Sequence, residues 1–432
     1  MPSMKLILSV LIVMTANGAA LAGSAPVDAG ETYQDLASML TATHEKAAGA
    51  LLEVASTPWI GTESVCGLDI DAAGNPVAVG PGVGGRFEGG RLVEMWHETR
   101  VTKFDSSLHL VWSRSSDRVD MRRPNAEASF RPADLAVARD GSILIVGGGS
   151  GGWEMRKFSP DGALQWTASL DGPDPSRSRP TRIVLDTEGN ALVTGMVGSN
   201  GSGGIPELPI LNVDPAGKVV WRSVIGPAGE ELAVEGLAMT GDGGLLAAVT
   251  GHYSGHIVRL DARGKERWRR AFPLRAGYLG RVGDVVLEPG GAAYVVGVEY
   301  NPKNYNYDSY RWTLAKYAPD GTLVWSRTGY TWSNSSNLEY AGKLRRTADG
   351  GIIVGGVSCR PTYDSPENWY LFEVRPDGRI AWYYDVGTEM NERVDRLVLS
   401  TDGTILVAGS VGSAFIRVYR KNPSSTRPGA PR

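Results

Sequence analysis

The sequence predicts an all-β protein, a seven-bladed β-propeller in which each blade has four antiparallel strands. Two recurring motifs and the spacing between them lead to this fold class. The Trp motif is represented by KFSPDGALQW at 157–166 and KYAPDGTLVW at 316–325. The Gly motif is represented by LAVARDGSILIVGG at 135–148 and VVLEPGGAAYVVG at 285–297. A chain of 432 residues is long enough for one large domain of this kind.

The two motifs alternate along most of the chain. Copies of the Trp motif lie at 103–112, 157–166, 212–221, 259–268, 316–325 and 373–382. Copies of the Gly motif lie at 68–80, 135–148, 183–195, 237–251, 285–297, 344–356 and 397–409. Successive Trp residues of the Trp motif are 47 to 57 residues apart, so the period is about 54. A regular period of this size indicates a repeat architecture with one structural unit per period.

Each motif has the pattern of a β-hairpin. It consists of two short apolar or alternating runs joined by Asp-Gly, Asn or Gly-Gly, which are residues that tolerate the positive φ of tight turns. One period therefore predicts four antiparallel strands. The second strand, such as ILIVGG at 143–148, is apolar on both faces and needs cover on both sides. Sheets stacked face to face around an axis provide that cover, which predicts a propeller.

The last period lacks the strand that would carry a Trp motif. The segment ALLEVASTPW at 50–59 precedes the first Gly motif and ends in Trp. We expect this segment to pair into the last blade and close the ring, because closure removes an open sheet edge. The predicted organisation is a signal peptide at 1–22, a leader with helical propensity at 23–49, the propeller at 50–421 and a disordered tail at 422–432.

The first residues predict export. An apolar run from Leu6 to Met14 is followed by small residues, with Ala20 and Ala22 in the pattern that precedes signal-peptide cleavage. Ser24 stands where a lipoprotein would carry its lipidated Cys, so no lipid anchor is expected. No other stretch has transmembrane length. The predicted location is secreted, periplasmic or on the cell surface.

The paired motifs resemble the repeats of the bacterial seven-bladed propellers called SBBP repeats. They are less similar to the Trp-docking repeats of quinoprotein dehydrogenases, which need eight blades and a pair of adjacent Cys. The resemblance covers about 60–421. It implies an exported bacterial surface or periplasmic protein and no particular activity, since propeller repeats serve many functions.

Composition excludes some classes of partner. The net charge of −3 gives no electrostatic footprint for nucleic acid. Cys66 and Cys359 are the only cysteines, and a bond between them is disfavoured because the last blade should lie between them. We expect instead two small buried side chains. His252 and His256 have a spacing that binds metal on a helix, but here they should flank a turn, so no metal and no cofactor are predicted.

Function should lie on the face opposite the Asp-Gly turns, called here the long-loop face, because variable loops on a rigid scaffold usually carry binding residues. Twelve of the 16 Tyr residues fall between Tyr294 and Tyr384, concentrated in the segments 299–312, 329–340 and 359–370. Aromatic rings with amides and hydroxyls suit ligand binding, although they also suit packing of the loops themselves. The candidate ligand-binding residues are Tyr300, Tyr305, Tyr307, Tyr310, Trp312, Trp332, Tyr340, Tyr363 and Trp369.

A weaker candidate site is the mouth of the central channel, where an anion could bind. Its candidate residues are Arg131, Arg182, Glu235, Arg281, Asp284 and Arg396. Acids and bases are mixed in this set, so the mouth is not expected to be basic. The Trp residues of the Trp motif and the repeated Asp-Gly pairs are assigned to packing and to turns, respectively.

The sequence therefore favours an exported, non-catalytic propeller that binds a glycan, peptide or protein through its aromatic long loops, as a monomer. The alternative is a polysaccharide hydrolase or lyase acting at the channel mouth. An enzyme would need convergent acid, base or metal ligands, and the candidate residues form no recognised catalytic set.

Overall fold

The architecture is taken from a computed structural model. It describes residues 51–58, 64–88, 91–120, 130–149, 151–170, 172, 178–197, 208–226, 232–251, 254–303, 310–330, 342–359, 367–386, 393–411 and 413–421. The regular secondary structure in these residues consists of β-strands alone, and all strand pairs are antiparallel. The all-β prediction is confirmed. The predicted signal peptide, leader and tail lie outside the described residues. No helix in the described ranges is long and apolar enough to span a bilayer.

The strands run in consecutive groups of four along the chain. The first group holds β2 (Gly67–Ile70), β3 (Pro76–Glu88), β4 (Arg91–Phe104) and β5 (Leu110–Asp120). The second holds β6 (Arg131–Val137), β7 (Ile143–Gly149), β8 (Gly152–Phe158) and β9 (Leu164–Ser169). The third holds β10 (Ser178–Leu185), β11 (Ala191–Val197), β12 (Leu208–Val213) and β13 (Val219–Ile225). The fourth holds β14 (Leu232–Met239), β15 (Leu245–Thr250), β16 (Gly255–Leu260) and β17 (Glu266–Ala271).

The remaining strands continue this pattern and end with the N-terminal strand. The fifth group holds β18 (Leu279–Leu287), β19 (Ala293–Tyr300), β20 (Tyr310–Tyr317) and β21 (Leu323–Tyr330). The sixth holds β22 (Lys343–Arg346), β23 (Ile352–Cys359), β24 (Glu367–Val374) and β25 (Ile380–Val386). The last holds β26 (Arg393–Leu399), β27 (Ile405–Val411), β28 (Ser413–Lys421) and β1 (Leu51–Pro58).

Strand order in each sheet follows the order of the chain, with two departures. The third and fourth groups form one eight-stranded sheet, because β11 also pairs with β14 through Met196–Ala233 and Val197–Leu232. In the last sheet β1 pairs with β28, from Leu51 opposite Lys421 to Pro58 opposite Phe415. This is the pairing that the sequence predicts for the segment 50–59.

The first strands of the groups lie next to one another. These first strands are β2, β6, β10, β14, β18, β22 and β26. Each contacts the first strand of the following group, and β26 in turn contacts β2. Buried aliphatic and aromatic side chains fill the spaces between neighbouring sheets, for example Val146 and Met155 against Val193 and Leu211. The core is thus divided into clusters that each join two successive groups.

One type of turn closes all the described hairpins that join first to second and third to fourth strands. In the turn that starts at Asp71, the N–H of Gly74 donates to the Asp71 carbonyl and the N–H of Asp71 donates to the Asn75 carbonyl. Side chains at the first position reinforce it, as when Asp71 Oδ1 accepts from the N–H groups of Ala73 and Asn75. Twelve of these turns have glycine at the fourth position with φ between 77° and 89°. The repeated Asp-Gly pairs are therefore turn formers, as predicted.

Five of the six Trp residues of the Trp motif pack on the outer turn of the next group, and the sixth, Trp382, donates to Glu373 instead. The indole N–H of Trp112 donates to the Pro160 carbonyl at 3.1 Å, and a Cβ on Gly162 would lie 3.0 Å from the same ring. Trp268 repeats both contacts with Pro319 and Gly321. The predicted packing role of these Trp residues is confirmed. Contact with the Trp ring is a second reason, besides the positive φ, why the turn requires glycine at this position.

Removal of β1 should destabilise the protein. A chain that begins at Gly61 loses all partners of β28 on that side, and we expect its melting temperature to fall by at least about 5 °C relative to a chain that begins at Gly23. A chain that begins at Ala50 keeps β1 and serves as the control. Equal melting of the chains that begin at Gly61 and Ala50 would show that the pairing contributes nothing.

Two turn glycines should differ in their tolerance of alanine. Gly403→Ala meets no neighbouring atom and should cost about 1 to 2 kcal/mol of unfolding free energy, from its positive φ alone. Gly264→Ala has the same φ cost, and its Cβ would also lie 2.6 Å from Ser223 Cβ and 2.7 Å from the Trp221 ring. Urea titration should therefore show the larger loss for Gly264→Ala. The reverse order would contradict the contact between Trp and turn.

Candidate functional site

One register position on the first strands carries either a charged residue or glycine. We call it the joint position, and it is defined by its partner in the second strand. The charged pairs are Asp134–Val146, Arg182–Thr194, Asp284–Val296, Lys343–Gly355 and Arg396–Ala408. The glycine pairs are Gly67–Val79 and Gly236–Ala248. The first strands thus bring charges from distant parts of the sequence to one level of the fold.

A β-bulge precedes the joint position in five of the described first strands. The extra residues are Ala133, Thr181, Glu235, Gly283 and Asp395. A bulge lets a strand present an additional side chain without losing its register further along. It brings Glu235 and Asp395 to the same level as the joint residues. Nine charged residues of the first strands form what we call the central charged cluster. They are Asp69, Asp134, Arg182, Glu235, Asp284, Lys343, Arg345, Asp395 and Arg396.

Three carboxylates of this cluster accept backbone N–H groups from the next first strand. Asp69 Oδ2 accepts from Val137 at 2.9 Å. Asp134 Oδ2 accepts from Ile183 at 3.3 Å, and Asp284 Oδ2 accepts from Leu344 at 3.0 Å. Burial raises the pKa of Asp69 to about 6, against the opposing effect of its two backbone N–H donors. These three carboxylates therefore form hydrogen bonds that link neighbouring first strands.

The two glycines allow close approach of neighbouring first strands, Gly67 at the joint that Asp69 also serves and Gly236 at the joint between β14 and β18. A Cβ on Gly67 would lie 2.6 Å from the backbone nitrogen of Leu135, and one on Gly236 would lie 2.6 Å from Asp284 Cα. At these places the backbones of neighbouring first strands touch directly, and only glycine fits.

Most cations of the cluster are held by oxygen atoms. Arg182 Nε donates to the Glu235 carbonyl at 2.6 Å, and Arg345 Nη1 donates to Asp284 Oδ2 at 3.1 Å. Arg396 Nη2 donates to the Ala133 carbonyl at 3.0 Å. Arg396 therefore reaches from β26 past the glycine joint of β2 to β6.

Lys343 is the exception in the cluster. Among the described residues, none forms a hydrogen bond or ion pair with its ammonium group, although Lys343 occupies the same register as the partnered joint residues. Burial, followed by the positive charges of Arg182 and Arg396, lowers the pKa of Lys343 to about 7, while Asp284 and Glu235 oppose this effect. This amine therefore changes its charge near pH 7, and its protonated form is free to pair with an anion.

A second level of the first strands, closer to the long-loop face, carries arginines. The pairs are Arg131–Gly148, Arg179–Met196, Arg281–Val298 and Arg393–Ser410. Arg131 and Arg179 are exposed, and the buried Nε of Arg281 has no hydrogen-bond partner. The predicted channel residues thus separate into two levels. Glu235 and Asp284 lie with Arg182 and Arg396, whereas the level of Arg131 and Arg281 has arginine and no described acid.

Three predicted ligand-binding aromatics lie in the core. Trp312 and Trp369 occupy one position of the third strand, which Trp153 also occupies, opposite Val298, Val357 and Gly148 respectively. Trp312 and Trp369 are 4% and 0% exposed, which leaves almost no surface for a ligand, and Tyr300 is also buried. The sequence predicts loops at 299–312 and 359–370, but strands extend into both segments. Their burial assigns these three side chains to packing between sheets.

The other aromatic candidates keep the status of predictions. Tyr310 is the first residue of β20. The remaining five, Tyr305, Tyr307, Trp332, Tyr340 and Tyr363, lie outside the described residues. A ligand role for them rests on the sequence.

The structure also describes the surroundings of one cysteine and one histidine that the sequence analysis considers. Cys66 is a free thiol whose pKa is raised by burial. His256 lies in β16, where burial and then Arg269 lower its pKa, and His252 lies outside the described residues. Across the described ranges, no three His, Cys, Asp or Glu side chains are grouped so that they could hold a metal ion.

Comparison with known proteins identifies the fold. No protein-family model and no curated protein sequence matches the chain. The structure of the Dos1 propeller matches with a TM-score of 0.51 and 12% identity, over 85% of this chain and 95% of that one. The fold is a β-propeller. YCF48 bound to D1 peptide matches with a TM-score of 0.51 and 12% identity, over 86% and 97% of the two chains. Drosophila Plexin A in complex with Semaphorin 1b gives a TM-score of 0.49 and 9% identity, over 86% and 88%.

Loss of a joint carboxylate should destabilise the propeller. Asp284→Ala removes the acceptor for the N–H groups of Leu344 and Val285 and the partner of Arg345. Buried donors left without partners cost about 1 to 3 kcal/mol, so the free energy of unfolding from urea titration should fall by that amount. Glu188→Ala, in an exposed turn, is the control and should change stability by less than about 0.5 kcal/mol. Equal stability of the two variants would remove the structural role of the carboxylate.

Proposed function

We propose that this propeller has seven blades, is closed by β1, and is an exported, non-catalytic binding protein. Its ligand would be a peptide, a protein or a glycan bound on the long-loop face. The cyclic contacts of the seven first strands support the blade number, and the pairing of β1 with β28 supports closure. Export rests on the signal-peptide pattern at 1–22 and on the resemblance to SBBP repeats.

The observation that carries the non-catalytic assignment is the use of the central carboxylates. Asp69, Asp134 and Asp284 each accept a backbone N–H from the neighbouring first strand. A general acid or base must instead be within reach of the proton of a substrate. Carboxylates committed to backbone amides favour a rigid support over a hydrolase or lyase site.

The difference between the two faces supports ligand binding on the long-loop face. The face of the Asp-Gly turns repeats one four-residue turn at each described hairpin, so it offers little that distinguishes one blade from the next. The long-loop face carries the variable connections and the arginine level of the first strands. One protein of similar fold, YCF48, is described bound to a peptide, which supports a peptide or protein ligand.

A binding screen tests this function. The chain that begins at Gly23 would be applied to glycan and peptide arrays and compared with the triple variant Tyr305→Ala/Tyr307→Ala/Trp332→Ala. Because aromatic anchors carry much of the energy of an interface, we expect the dissociation constant for an array ligand to rise at least tenfold.

The control triple variant is Glu188→Ala/Arg263→Ala/Arg379→Ala, which changes exposed residues in the Asp-Gly turns. It should bind as the unmodified chain does. Equal binding by the aromatic variant would remove the aromatic loops from the site. Turnover of a polysaccharide would instead establish the enzymatic alternative.

A further inference from the structure

The first strands hold a concentration of positive charge that the proposed binding through aromatic loops does not use. We infer that the propeller binds an oxyanion, a carboxylate or a phosphate-like group, at Lys343 beneath the arginines of the first strands. The residues of this site do not include the aromatic candidates for ligand binding.

The charge balance of the first strands favours an anionic ligand. The central charged cluster contains four cations and five carboxylates, and the next level adds four arginine residues without a described acid. The first strands therefore carry an excess of cations in a chain whose net charge is −3. The two levels are two ladder positions apart, or about 7 Å along the strands. An anion that enters from the long-loop face would pass the arginines before it reaches Lys343.

The pairing of the carboxylates leaves this charge available. Asp284 is bound by Leu344 N–H and by Arg345, and Glu235 lies 3.7 Å from Arg182. Asp134 is bound by Ile183 N–H and lies 3.6 Å from Arg396. Each of these acids already has a partner of its own, whereas Lys343 has none in the described residues. Among the cations of the central charged cluster, Lys343 is therefore the one that the described residues leave without a partner.

The surroundings of Lys343 are suited to an oxyanion. Arg182 on β10 and Arg396 on β26 are close enough to repel its ammonium group, and Asp284 on β18 and Glu235 on β14 attract it. Arg345 on its own strand is engaged with Asp284, and Glu299 on the adjacent β19 is engaged with Arg275. An anion placed at Lys343 would interact with three cations at once and would remove their mutual repulsion.

Binding should be coupled to protonation of Lys343. With a pKa of about 7, this lysine is mostly neutral at pH 8, and an adjacent anion stabilises its charged form. The complex should therefore take up a proton at pH 8, and affinity should rise as pH falls. Asp69, with a pKa of about 6, is charged throughout the range from pH 7 to 8 and does not produce this uptake.

Isothermal titration calorimetry of the chain that begins at Gly23 tests the site. The probes are sulfate and oxalate, which both stay fully ionised between pH 6.5 and 8. We expect affinity to be about tenfold higher at pH 6.5 than at pH 8, as follows from the fraction of protonated Lys343. Titrations at pH 8 in two buffers of different ionisation enthalpy should show the uptake of a proton. Tighter binding of sulfate indicates a phosphate-like ligand, and tighter binding of oxalate indicates a carboxylate.

Variants separate this site from general electrostatic attraction. Lys343→Gln should weaken binding at pH 6.5 at least tenfold and abolish both the pH dependence and the proton uptake. Arg281→Gln should weaken binding without abolishing proton uptake. Arg379→Gln, an exposed arginine in an Asp-Gly turn, is the matched control and should bind normally.

The inference is overturned if neither probe binds the unmodified chain, or if Lys343→Gln keeps its affinity and pH dependence. The aromatic triple variant should bind sulfate as the unmodified chain does. If that variant does not affect array binding, the proposed function fails and the oxyanion proposal still stands. The two proposals can therefore fail independently.

Discussion

The structure depends on hydrogen-bond partners for the backbone N–H groups along the edges of the first strands, where neighbouring groups of strands meet. Most first strands belong to separate sheets, so no backbone ladder joins one to the next. Backbone N–H groups that are buried without partners are costly, and the protein supplies those partners from side chains. Asp69, Asp134 and Asp284 do so at three joints. Gly67 allows direct backbone contact at the joint that Asp69 also serves, and Gly236 does so at a fourth joint.

The outer parts of the sheets are joined by a different device. Each Trp of the Trp motif that has a following outer turn covers the glycine of that turn, as Trp221 does at Gly264 and Trp325 at Gly378. Apolar contacts therefore hold the rim together, while charges and backbone amides hold the centre. This division concentrates ionisable groups on the first strands, and within the central charged cluster it leaves one cation, Lys343, without a protein partner in the described residues. The structural joints and the proposed anion site thus lie on the same set of strands.

Much of the fold could be predicted from the sequence because the repeats fix strands and turns locally. The Asp-Gly turns, the inter-group packing of Trp112 and Trp268, and the pairing of the segment 50–59 all follow from motif and spacing. Trp312 and Trp369 were interpreted as loop aromatics, whereas Trp153, Trp312 and Trp369 recur five residues before the end of the third strand. That second Trp repeat is visible in the sequence and would have indicated packing.

The candidate site was less predictable because it depends on register. Arg131 and Arg281 precede their turns by seven residues, whereas Arg182 and Arg396 precede theirs by four, and the register places these two pairs at two levels. Sequence reasoning missed five members of the central charged cluster, which are Asp69, Asp134, Lys343, Arg345 and Asp395. Alignment of the turns would have shown that Lys343 precedes Thr347 by the same four residues that separate Arg182 from Asp186. The environment that leaves Lys343 without a partner among the described residues is formed by side chains of β10, β18 and β26. These strands are distant in sequence, so no local sequence pattern predicts it.

Amide hydrogen exchange at the joints tests the central claim most directly. The N–H groups of Val137, Ile183 and Leu344 lie on first-strand edges without a neighbouring backbone ladder, and each donates to a carboxylate of the adjacent first strand. Residue-resolved exchange at neutral pH should show these three amides to be as strongly protected as amides inside the sheets. Rapid exchange at all three, at the rate of open strand edges, would mean that the first strands are not joined in this way.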